Sequence, residues 1–193
     1  MNPTTSGTFR VLDSPRADGE RLLLDVDTHD PTYVAVDDAE EPLLPGYLLD
    51  ATLEWVEGEP ELSTVSVREP TLFSFADGVT NLFEAATEAC REARAEGVAS
   101  DVTRSTDGDV NGALYAFAEQ GGERDLFEEF RTGVRPLEPL LERAAEGTDG
   151  PQEVFVLRPA DLPCVVVYIV LRKESMLADT VRDTYDCPRP DEP

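Results

Sequence analysis

The sequence predicts an α+β protein: an N-terminal small β-barrel or bent antiparallel sheet over residues 1–76, then a mainly helical region with a C-terminal β-hairpin over residues 77–193. Three observations predict it. Short apolar or alternating runs separated by turn residues fill the first third. Apolar positions at helical spacing recur between Val79 and Gly147. Two apolar runs then flank the short connection "PADLP", too short to return a parallel strand.

The first strands are "GTFRVLD", "RLLLDVD" and "TYVAVD", divided by "SPRADGE" and "THDP". Two longer ones, "GYLLDATLEWVEG" and "ELSTVSVRE", join around Gly58 and Pro60, and the imperfect alternation before Trp55 is compatible with a bulge. Asp77 is placed to cap a helix with Val79, Leu82, Phe83, Ala86, Cys90 and Ala93 on one face, and Gly97 stops it. "VASDVTRST" suits a short strand. Beyond it, Val110, Ala113, Leu114, Phe117 and Ala118 predict a helix ended by Gly121 and Gly122. Further helices are predicted in "RDLFEEFRTG", between Pro136 and Gly147, and after a Ser175 cap, with "QEVFVLR" and "CVVVYIVLR" as the hairpin and "CPRPDEP" as a mobile tail.

Charge defines the medium. The 193 residues include 41 acids and 16 bases, a formal net charge of −25. A compact state so charged repels itself in dilute salt, whereas molar salt shortens the screening length to a few ångströms. Lys173 is the only lysine, and arginine, less strongly hydrated and able to grip carboxylates with two donors, supplies every other base. A halophilic cytosol accounts for both features. An apolar content of 40% separates the chain from disordered acidic proteins. "MNPTTSGTFRVLD" lacks the basic start and apolar stretch of a signal peptide, and "CVVVYIVL" is too short to cross a bilayer, so no membrane partner is expected. The widely spaced Cys90, Cys164 and Cys187 suggest no disulfide framework. Cys90 and Cys164 read as core residues and Cys187 as an exposed thiol.

Three constellations merit comparison as sites. Asp107, Asp109, Asn111 and Gly112 match the opening of a calcium loop, but Ala118 stands where the closing glutamate belongs. The alternative is a turn at Asp107-Gly108 followed by a helix capped by Asp109. Asp25, Asp27 and His29 share one strand face and could form a manganese- or iron-type set in a metal-dependent enzyme. Arg10, Arg21, Tyr33, Trp55 and Arg68 supply rings and charges of the kind that bind single-stranded nucleic acid on a small barrel. His29 is the only histidine, and G-x-S-x-G, P-loop and dinucleotide-binding motifs are absent.

The stretches "STDGDVNGALYAFAE" and "LPCVVVYIVLRKESMLADTVRDTYDCPRP" resemble a group of haloarchaeal proteins classed as a domain of unknown function, and strands 7–69 weakly resemble OB- or TRAM-like barrels. The family resemblance implies a halophilic archaeal cytosolic protein and assigns no catalytic residue. The expected function is a non-enzymatic binding or interaction module, cytoplasmic, requiring no cofactor and engaging a protein partner. RNA binding and metal-dependent catalysis are the alternatives.

Overall fold

A computed structural model describes residues 1–36, 42–122 and 124–193. Strands β1 (Thr4–Asp13), β2 (Glu20–Asp25), β3 (Pro31–Ala35), β4 (Leu48–Val56) and β5 (Glu59–Glu69) form an antiparallel sheet in the order β3-β2-β1-β4-β5. One face buries Phe9, Val11, Leu23, Val34, Leu49 and Leu53. On the other, Leu12, Leu22 and Leu24 contribute to a second core shared with the rest of the chain. Each such side chain taken fully from water contributes roughly 1.5–3 kcal/mol before entropy is counted. Register shifts at Leu48/Leu49 and Thr52/Leu53 supply the bulges that the uneven alternation predicts. The edge strands β3 and β5 are not hydrogen-bonded neighbours, so the sheet does not close, which corrects the expected barrel.

A second sheet holds β6 (Leu72–Val79), β7 (Val98–Arg104), β8 (Val110–Ala118), β9 (Glu153–Pro159) and β10 (Cys164–Val170), in the order β6-β9-β10-β8-β7. Only the β6–β9 pair is parallel, and β9–β10 is the expected hairpin. Helices α1 (Glu84–Glu96) and α4 (Met176–Tyr185) pack on one face. The shorter α2 (Leu126–Arg131) and α3 (Glu138–Ala144) lie on the other, beside the first sheet's Leu12, Leu22 and Leu24. This central sheet is covered on both sides, so all seven residues of β10 are buried.

The region from residue 77 onward is therefore built on a sheet and is not mainly helical, and the structure as a whole is 42% strand and 19% helix. The largest correction is "VNGALYAFA", read as a helix and found as β8. A strand buried on both faces loses its alternation, and its apolar positions then also satisfy a helical template. Asp77 lies within β6 and pairs with Arg158 at 2.6 Å, while α1 starts later, at Glu84. Ser175 does cap α4, accepting from the Ala178 amide.

The cysteines and the tail also depart from expectation. Cys90 of α1 and Cys164 of β10 form a disulfide between Cα atoms 5.9 Å apart, and Cys187 is buried. Arg182 donates to the carbonyl oxygens of Cys187 and Pro188. Glu192 accepts from Lys173 in the second region and from Tyr47 beside the first sheet. The C-terminal segment is thus a strap across both sheets. Beneath it the fully buried Glu153 holds Arg182 and Arg189. A second buried pair, Arg10 to Glu138 at 2.6 Å, ties β1 to α3, and Arg10 also donates to the Gly46 carbonyl. At the sheet edge, Asp101 Oδ1 accepts the Val102 N–H of β7, which blunts that edge against strand addition.

Candidate functional site: the cleft between α1 and α4

The stretch that suggests a calcium loop builds the floor of a cleft instead. Ser105 to Asp109 is the turn of the β7–β8 hairpin, closed by Ser105 N–H to the Asp109 carbonyl at 2.8 Å, with Gly108 at φ 89°. Thr103 then pairs with Gly112 and Arg104 with Val110, leaving Asn111 as the extra residue of a bulge. A bulge re-aims a side chain, and this one turns Asn111 back toward Thr103. Thr103 Oγ1 donates to Asn111 Oδ1 at 2.8 Å and lies 2.8 Å from Tyr168 Oη of β10. With the Thr103 hydrogen committed to Asn111, Tyr168 donates to Thr103. Burial raises the Tyr168 pKa, so the phenol keeps the proton that it donates to Thr103.

Gly112 makes the contact between strands possible. A Cβ at that position would lie 2.6 Å from Thr103 Oγ1 and 2.7 Å from Tyr168 Cε2, nearer than packed atoms come. The glycine that reads as a calcium-loop turn is needed for close approach.

Phe83, Leu114, Tyr168 and Leu177 line this cleft of about 240 Å³, together with Ala85 and Thr180. The Phe83 ring meets Tyr185 edge-on at 5.1 Å, and Tyr185 Oη accepts the N–H of Phe83, whose own side chain offers α1 no cap. The disulfide pins the same helix to β10. Asn111 and Leu177 also line an adjoining groove of about 600 Å³, bordered by Asp109, Asp149, Arg172 and Met176. Arg104 lies at the inner cleft and donates to the Gly108 carbonyl at 3.0 Å. Among the described residues neither Arg104 nor Arg172 pairs with a carboxylate. The inner lining offers hydroxyls, an amide, a guanidinium and rings, a set suited to holding a ligand.

The sequence-based candidates lie elsewhere or serve other ends. Asp25 Oδ1 accepts the N–H groups of Asp27 and Thr28, making a turn in which His29 adopts φ 62°. The three residues thus leave the shared strand face expected of them. Asp107 and Asp109 belong to the hairpin turn, and Asp109 precedes a strand, so it caps no helix. Among the described residues no three potential metal ligands of the His, Cys, Asp and Glu types converge. Arg10 is buried against Glu138, and Arg21 donates to the Leu43 carbonyl. Tyr33 lies 4.5 Å under Arg16, on the Leu22 side of the sheet. Trp55 is on the opposite side, donating to Thr5, while exposed Arg68 faces Asp50. These five residues share no surface. Thr103, Tyr168 and Leu177 were not among the sequence-based candidates. The one signal for them was a glycine inside an apolar strand.

Among the described residues no helix is long and apolar enough to cross a membrane. No curated protein and no solved structure matches the chain. A family model does match, over residues 1–190, and the chain belongs to the Family of unknown function (DUF6663).

Proposed function

We propose that the protein is a non-enzymatic binding module of a high-salt archaeal cytosol, and that its ligand seats in the cleft between α1 and α4. The observation that carries this reading is the Asn111–Thr103–Tyr168 hydrogen-bond chain under an apolar wall. A concave apolar site with a few convergent polar groups is the usual form of a ligand pocket. The net charge of −25 supports the high-salt setting.

The test is native mass spectrometry of protein purified in molar potassium chloride, comparing the parent with Thr180→Trp, an exposed position whose ring would fill the cleft. A bound small molecule or partner peptide in the parent that is lost in an equally stable variant is expected. Equal loading of both, or conversion of the recovered molecule by the protein, would sink the reading.

A further inference from the structure

We infer that the cleft takes an apolar carboxylate, with a ring-sized apolar group between Phe83 and Leu177 and the acid on Arg104. This rests on the binding role proposed for the cleft and adds its ligand chemistry. A volume of about 240 Å³ suits one ring, and Phe83, Leu114 and Leu177 offer it faces without charge. At the polar end, Arg104 gives one hydrogen bond, to the Gly108 carbonyl, and its other donors meet no protein acceptor among the described residues. The Asn111 amide nitrogen is likewise without a protein acceptor there, because Asn111 is engaged through its Oδ1.

Acids outnumber bases 41 to 16 in this chain, so most arginines have carboxylates within reach. A guanidinium beside an apolar cleft, with no carboxylate partner among the described residues, is set to receive a carboxylate from outside, by two parallel N–H donors. Two acids of the same hairpin have other roles or positions: Asp101 accepts the Val102 amide, and Asp109 lines the outer groove. Molar salt screens the repulsion that an anion would otherwise meet from the whole molecule.

The carboxylate could come from a small acid or from the C-terminal residue of a peptide. Calorimetric titration in molar potassium chloride with 3-phenylpropionate, 3-phenylpropionamide and N-acetyl-alanyl-phenylalanine separates these sources. The expected result is binding of at least one acid about tenfold or more tighter than the amide. Arg104→Gln should abolish that preference, whereas Arg94→Gln, the same charge change on exposed α1 surface, should preserve it. The stronger of the two acids identifies the source. Amide binding as tight as acid binding would overturn the carboxylate assignment and leave the cleft as a binding site. An acid preference unchanged in Arg104→Gln would move the anion contact elsewhere. No binding by any probe, together with equal ligand loading of the parent and Thr180→Trp, would overturn both readings.

Discussion

Tyr168 Oη lies 2.8 Å from Thr103 Oγ1 although the two residues belong to strands on either side of β8. They meet over Gly112, the one position in that strand without a side chain to intervene. Gly112→Ala should therefore force strand β8 or the Tyr168 ring to shift and lower stability by about 1–3 kcal/mol. Urea denaturation at fixed molar salt measures it. An alanine variant as stable as the parent would mean that the two hydroxyls are not in contact.

The buried Arg10–Glu138 pair gives a second prediction. Glu138→Gln leaves the Arg10 charge without its counterion and should cost about 3–5 kcal/mol, as should Arg10→Met for the reverse reason. The double variant Arg10→Met/Glu138→Leu should recover most of that loss. A double-mutant cycle showing simple additivity would contradict the pairing.

Thiol counting tests the disulfide. Denatured, unreduced protein should show one reactive thiol, Cys187, and three after reduction. The bond spans 74 residues, and its removal in Cys90→Ala/Cys164→Ala should cost about 4 kcal/mol by the chain-entropy estimate. Three thiols before reduction would remove the bond from the structure.

The strap should respond to acid. Burial alone would raise the Glu192 carboxyl, but hydrogen bonds from Lys173 and Tyr47 and the charges of Lys173 and Arg189 outweigh it and hold the pKa below its ordinary 4.5. A depressed folded-state pKa adds stability that is present above the unfolded value and is lost as pH falls through the folded one. Glu192→Gln should be less stable than the parent near neutrality, and the two melting temperatures should converge as pH drops below about 4.5. Parallel curves across that range would show that Glu192 is not clasped.

Salt should matter throughout. Dialysis from molar to about 0.01 M salt lengthens the screening distance to roughly 30 Å and exposes the full repulsion of a −25 chain. A marked fall in melting temperature is expected. A salt-insensitive melt would argue against the high-salt setting.

The acidic surface, the β-rich first 69 residues, the β9–β10 hairpin and the Ser175 cap were all legible in sequence, because each depends on local pattern, turn chemistry or composition. The tertiary structure decided what local pattern leaves ambiguous. Strand β8 passes for a helix until the elements covering both of its faces are in place. Arg10 looks like a surface base until Glu138, 128 residues away, removes it from solvent. The C-terminal prolines suggest a free tail, yet Lys173, Tyr47 and Arg182 hold it down. The cleft follows the same logic. Gly112 was visible, but what it makes room for was not, because Thr103 and Tyr168 stand 65 residues apart and only the strand order brings their hydroxyls together.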